Sequence, residues 1–256
     1  MQRPMAELLF WPALLGYGEA AIAYTSPRHT RLATWGVRIG WLAQTGLLVY
    51  QASRVDGFPW ASWAGSLNLF VWFTVGAYLI WGCQARYRLV GLTVMPLVVG
   101  LFIASRIGGG TTAGQSSHYS NLFLTIHVGC VLAAFAGFTL AASLATLYLL
   151  EERRLNRHAP DILRLKLPSL VVLDRLTVRT IAVSLPLLTV GLVAGFIRLR
   201  EEDKGADTLM AATIVAWVVY AGLLALRPRG RRTAYLALLG FAIVLVARII
   251  LAGSHF

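Results

Sequence analysis

Stretches of about 20 apolar residues recur along almost the whole 256-residue chain, near 8–24, 34–52, 60–81, 89–105, 122–149, 179–198, 208–226 and 233–251. A stretch of that length is what a helix needs to cross the hydrocarbon of a bilayer, where a helix satisfies its own backbone hydrogen bonds. Eight of them leave no room for a separate soluble domain. The balance of 57% hydrophobic to 13% charged residues fits the same class. The chain therefore reads as an all-α integral membrane protein, a single bundle of about eight transmembrane helices over residues 1–256. The first stretch ends in "EAAIAYT", a small-residue pattern of the kind that signal peptidases cut. Arg28 and Arg31 follow at once and disfavour export, so that stretch is kept as a helix.

The net charge of +12 suggests nucleic acid until its placement is considered. Fifteen of the 23 basic residues fall in the loops after the first, third, fifth and seventh stretches, seven of them after the fifth. Six fall on the opposite side, and Arg38 and Arg248 lie within helices. The positive-inside rule then puts the rich loops in the cytoplasm and both termini outside it. The excess is a topology signal and an attraction to the lipid bilayer, with no nucleic-acid partner implied.

Cys83 and Cys130 fall at opposite faces on this topology and cannot pair. No C-x-x-C-H is present for covalent haem attachment. The Gly-rich loop 106–121 lacks the G-K-[ST] ending of a phosphate loop. The segment 151–179 alternates apolar and basic residues as an interfacial amphipathic helix does, and a solvated orienting face accounts for it equally. Ala133, Gly137 and Ala141 on the fifth helix, and Gly191 and Gly195 on the sixth, form small faces suited to close helix packing. Pro96 and Pro186 allow local kinks. No repeat supports an inverted-repeat transporter.

Five histidines sort by topology. His29 and His158 fall in cytoplasmic loops and His118 in an external loop. His127 near the start of the fifth helix and His255 just past the eighth fall at the same, external, face. Two neutral imidazoles at one level are a suitable axial pair for haem iron, while zinc or copper would need further ligands. A hydrogen-bonded helix-end histidine and an idle terminal one account for the bare spacing as well. Arg248 lies two turns before His255, where it either snorkels or contacts an anionic group such as a propionate. Arg106 is a second such residue. Glu19 and Arg38 lie at similar depths and suggest a structural ion pair. Eight tryptophans gather mostly at helix ends as an aromatic belt, with Trp60 and Trp63 also placed to wall a porphyrin face.

Several long segments resemble the cytochrome c assembly family of haem-handling membrane proteins, in its CcsA-like and HemX-like eight-helix branch. "GWLAQTGLLVYQASRVDGFPWASWAGSLNLFVWFTVGAYLI" (40–80) is similar to the family's second and third helices. "LTIHVGCVLAAFAGFTLAASLATLYLLEERRL" (124–155) is similar to its histidine-bearing helix, and "LDRLTVRTIAVSLPLLTVGLVAG" (173–195) to the next. "GRRTAYLALLGFAIVLVARIILAGSHF" (230–256) is similar to the last. The resemblance implies an external haem site with His127 and His255 as the iron's axial ligands, and haem b held without covalent bonds.

The departures from the family's pattern are specific. The tryptophan-rich segment ending in W-D-P-K-E is replaced by "REEDKGADTLMAATIVAWVVYAG" (200–222), where Asp207 and "WVVY" align without the preceding tryptophans. The positions that match an inner, intramembrane histidine pair are Gln44 and Ala225. The resemblance thus implies a haem-binding protein of a bacterial cytoplasmic membrane that assists c-type cytochrome biogenesis, not a complete synthase by itself. Arg248 or Arg106 would contact the propionates, and apocytochrome c and another membrane assembly protein would be partners. The alternatives are a HemX-like regulator of tetrapyrrole synthesis and, from a different class, a small-solute transporter or structural membrane subunit.

Overall fold

The computed structural model describes residues 3–26, 29–54, 60, 62–81, 88–111, 122–156, 169–201 and 208–253. They form eight helices: α1 (Arg3–Ala23), α2 (Thr30–Ala52), α3 (Trp63–Trp81), α4 (Arg88–Ile107), α5 (Leu122–Asn156), α6 (Leu170–Glu201), α7 (Thr208–Leu226) and α8 (Arg231–Gly253). No strand occurs among the described residues. Windows in α3, α4, α5 and α6 are long and apolar enough to cross a membrane, and α7 adds a shorter apolar helix. The chain is a multi-pass membrane protein.

Every expected stretch is a helix, and α5 and α6 run furthest beyond their hydropathy. α5 continues to Asn156 and α6 begins at Leu170, so most of the expected basic segment 151–179 consists of helix ends. Hydropathy marks only the part of a helix that lies in hydrocarbon. Glu, Arg and Leu beyond that part are good helix formers in water. At 1.5 Å per residue, the 35 residues of α5 span roughly 50 Å, against about 30 Å of hydrocarbon.

The chain divides into two compact units, residues 1–125 and 126–256. In the first, α1 and α2 cross at backbone contact. A Cβ on Gly16 would lie 2.6 Å from the Gly36 carbonyl oxygen, and one on Gly36 would lie 2.8 Å from that of Gly16. Phe10 of α1 stacks on Phe102 of α4 at 5.0 Å. Without a water-driven force between helices in lipid, such close approach supplies the dispersion contact that holds them.

A chain of buried side chains ties this unit together. The Tyr17 hydroxyl donates to Gln44 Oε1 at 2.6 Å, and Gln44 Nε2 donates to Asn68 Oδ1 at 2.8 Å and to its carbonyl at 3.0 Å. Asn68 Nδ2 and the Trp60 indole N–H both donate to Gln51 Oε1, while Gln51 Nε2 donates to the Gly110 carbonyl at 2.9 Å. Buried amides require this full pairing, because an unmet donor in an apolar interior costs about 1–3 kcal/mol. The expected Glu19–Arg38 ion pair does not form among the described residues. The Arg38 guanidinium lies instead over the Trp35 ring, 5.3 Å from its centroid and on its own helix.

In the second unit, α5 and α6 run antiparallel, joined through their small faces as the spacing predicts. A Cβ on Gly137 would collide with Ser184, and one on Gly191 would lie 2.6 Å from Val131. Phe138 of α5 stacks on Tyr220 of α7 at 4.0 Å, and the Tyr220 hydroxyl donates to the Ala237 carbonyl of α8 at 3.2 Å.

Candidate functional site

His127 stands near the start of α5, facing the glycine face of α6. Its Nδ1 lies 2.6 Å from the Gly191 carbonyl oxygen. A carbonyl only accepts, so Nδ1 carries the proton and the lone pair of the neutral ring belongs to Nε2. Nε2 has no hydrogen-bond partner among the described residues. An imidazole anchored through Nδ1 to a backbone carbonyl, with Nε2 left over, is the arrangement by which proteins orient a metal-binding histidine.

The space for the ring exists because residue 195 has no side chain. A Cβ on Gly195 would lie 2.7 Å from Cε1 and 2.8 Å from Nδ1 of His127, below any ordinary contact. Gly191 and Gly195 therefore have separate tasks, the first giving the accepting carbonyl and close contact with Val131, the second giving room for the imidazole. Spacing alone pairs these glycines as a packing motif and does not reveal that the histidine occupies it.

The depth of the other end of the unit follows from two tie points. A Cβ on Gly230, just before α8, would lie 2.9 Å from the Tyr148 hydroxyl of α5, and Tyr220 links Phe138 of α5 to Ala237 of α8. α8 thus runs antiparallel to α5. From Tyr148 back to His127 is roughly 31 Å of helix, and the same rise along α8 ends in its last turn. Gly253, the end of α8, precedes His255 by two residues. His255 and Asp207 lie outside the described residues, as do His118, His158 and Cys83. Arg248 lies on α8, with its side chain outside them too.

Arg106 ends α4 in the first unit and is already engaged. It lies 3.2 Å from Glu7 Oε1, donates to Thr111 Oγ1 at 3.2 Å and sits 5.2 Å above the Phe10 ring centroid. Of the two tryptophans, Trp60 is committed to Gln51 through its indole N–H, and Trp63 is 60% exposed. Gln44 is wholly buried and all its polar atoms are spoken for, and Ala225 is exposed on α7. Cys130 is a free thiol. No group of three or more His, Cys, Asp or Glu that could hold a metal occurs among the described residues. A metal carried by a porphyrin needs only one or two protein ligands, a requirement that an oriented imidazole can meet.

These features define a multi-pass helical membrane protein with an imidazole anchored near one end of a four-helix unit. The model of the cytochrome C assembly protein family matches residues 60–252, and the chain belongs to that family. It is 24% identical to the cytochrome c biogenesis protein CcsA of Gloeothece citriformis, over 93% of this chain and 90% of that one. It is 25% identical to the CcsA protein of Guillardia theta over 73% and 71%. It is also 26% identical to Protein HemX of Brevibacillus brevis, over 65% of this chain and 62% of that one.

Proposed function

We propose that the chain binds haem b at one face of a bacterial cytoplasmic membrane and assists c-type cytochrome biogenesis by holding or delivering it. His127 and His255 would hold the iron, and the 256 residues would act as one haem-handling domain with both termini outside the cytoplasm. The observation that carries this reading is the Nδ1 anchor of His127 on Gly191, which leaves Nε2 to donate its lone pair. The end of α8 at the depth of His127 supports His255 as the opposing ligand, and Arg248 or Asp207 would contact the periphery of the ring. Arg106, which the resemblance assigns to a propionate, is engaged with Glu7 in the first unit.

Bound haem supplies the iron and the vinyl groups to which apocytochrome thiols are joined. The chain's own contribution is to hold the imidazole in one tautomer and one orientation. Gln44 takes no part in ligation, since both ends of its amide are paired inside the first unit. With no histidine there and no tryptophan-rich segment before α7, the chain handles haem at a single site and needs a second membrane protein to complete transfer to apocytochrome c.

Absorption spectra of the purified protein test the reading. A bis-histidine haem spectrum, weakened in His127→Ala and in His255→Ala and restored by added imidazole, is the expected result. A colourless protein that takes up no added haemin overturns it. The likeness to HemX favours the second reading, a regulator of tetrapyrrole synthesis acting by protein contact. A colourless protein whose deletion alters tetrapyrrole precursor levels would point there.

A further inference from the structure

The end of the second unit opposite His127 carries a concentration of charge that haem handling does not use. The α7–α8 turn reads Arg227-Pro-Arg229-Gly-Arg231-Arg232, and all four arginines are exposed. The start of α6 adds exposed Arg175 and Arg179, and the last turn of α5 adds two more. Packing brings these ends together. The Gly230 N–H donates to Asp174 Oδ1 of α6 at 3.0 Å, and Arg231 Nε lies 4.0 Å from Glu152 Oε2 of α5.

Among the described residues three carboxylates stand near the eight arginines, two engaged and one buried. Asp174 caps the turn, Glu152 faces Arg231, and Glu151 is 9% exposed. Arg175, Arg229, Arg231 and Arg232 are exposed. Two features suggest an organised surface. The Arg231 guanidinium is laid over the Tyr235 ring at 5.3 Å and donates to its hydroxyl at 3.0 Å, which fixes its direction. Arg227 has a φ of 47°, a left-handed conformation that costs a non-glycine residue about 1 kcal/mol.

Beside these arginines the surface is apolar. Leu226 is 80% exposed, Val171 71% and Leu239 50%. Cations at a helix turn directly above exposed alkyl side chains match one class of molecule, a phosphate on hydrocarbon chains. We infer that this end of the second unit, centred on Arg229, Arg231 and Arg232 of the α7–α8 turn with Arg175 of α6, is a binding site for the headgroup of an anionic phospholipid. The acyl chains run over Leu226 and Leu239. Guanidinium groups take phosphate oxygens in pairs, which makes arginine better suited than lysine here.

The test is lipid binding to the full chain in detergent, followed by native mass spectrometry and thermal stability while phosphatidylglycerol, phosphatidylcholine or inorganic phosphate is added. Binding and stabilisation by phosphatidylglycerol alone is expected. Arg229→Gln/Arg232→Gln should weaken it about thirtyfold, the effect of two arginines near an anionic headgroup. Arg229→Lys/Arg232→Lys should lose less, and should fold if the glutamine pair does not. Arg31→Gln/Arg54→Gln, with the same charge change in the first unit, should retain affinity. Equal loss in both glutamine pairs would make the attraction diffuse and overturn the site. Equal binding of phosphatidylcholine overturns it too. Stabilisation by inorganic phosphate alone would reassign it to a free anion.

Discussion

Gly195→Ala is the most informative single change. The new Cβ would stand 2.7 Å from His127 Cε1 and 2.8 Å from Nδ1, about 0.7 Å inside the distance at which ordinary van der Waals contact begins. Retreat of α5 would open the close contact of Val131 and Cys130 with Gly191, so the imidazole swings instead. A swing of that size breaks the 2.6 Å bond to Gly191. The bond contributes about 1 kcal/mol and the crowding costs about 1–3 kcal/mol. Alanine returns up to about 1 kcal/mol through helix propensity, so the net loss of stability is about 1–3 kcal/mol. Ligation suffers by a comparable amount, because removing the partner that orients a metal-bound histidine costs about 10–100-fold in affinity. The control is Gly129→Ala, two residues from His127 on the same helix, where a Cβ meets nothing within 4 Å. Haemin titration followed by the Soret band reads the affinity. The imidazole ¹⁵N spectrum of the haem-free protein reads the Nδ1–H bond independently. Gly195→Ala with wild-type affinity and an unchanged ¹⁵N signal would refute the anchoring argument. An equal loss in Gly129→Ala would do the same.

Three further outcomes are expected. Gln44→Ala strands the Tyr17 hydroxyl and the Asn68 carboxamide oxygen in the interior of the first unit, at a cost of about 2–6 kcal/mol that thermal unfolding should register, while Tyr17→Phe, which strands only Gln44 Oε1, should cost about 1–3 kcal/mol. Gly137→Ala drives a methyl group into Ser184 and should destabilise the protein by about 1–3 kcal/mol, with Gly137→Ala/Ser184→Ala regaining part of it in a double-mutant comparison of melting temperatures. At the α7–α8 turn, Arg227→Gly relieves the positive φ and should leave stability level or raise it by up to about 1 kcal/mol. Gly230→Ala, at φ 68° and 2.9 Å from the Tyr148 hydroxyl, should lower it by about 1–2 kcal/mol in the same assay.

Much of the architecture is legible without coordinates, since each feature depends on a single element meeting a single solvent. A run of about 20 apolar residues must be a helix in lipid whatever its neighbours. The small faces at Ala133–Ala141 and Gly191–Gly195 are regular in sequence because they are regular on a helix, and Gly137, Gly191 and Gly195 lie in the α5–α6 seam. The family is legible through long similar segments, and the match over residues 60–252 accords with it. Helix ends were less so, because hydropathy reports the hydrocarbon and not the hydrogen bonds that carry α5 on to Asn156.

What required tertiary structure was the partner of each polar group. Glu19 and Arg38 have opposite charges at similar depth, yet Arg38 finds an aromatic face one turn back on its own helix. Gln44 reads as a lone amide in an apolar stretch, and only the arrangement of α1, α2 and α3 joins it to Tyr17 and Asn68. His127 is visible as an imidazole near a helix start. Its tautomer depends on a carbonyl 64 residues away in sequence, and the room it occupies depends on the absence of a side chain at Gly195. Hydrophobicity is a property of one segment in its solvent and so can be read from that segment. Hydrogen bonds and close contacts are properties of two segments at a set distance and angle, and only the folded arrangement of the helices decides them.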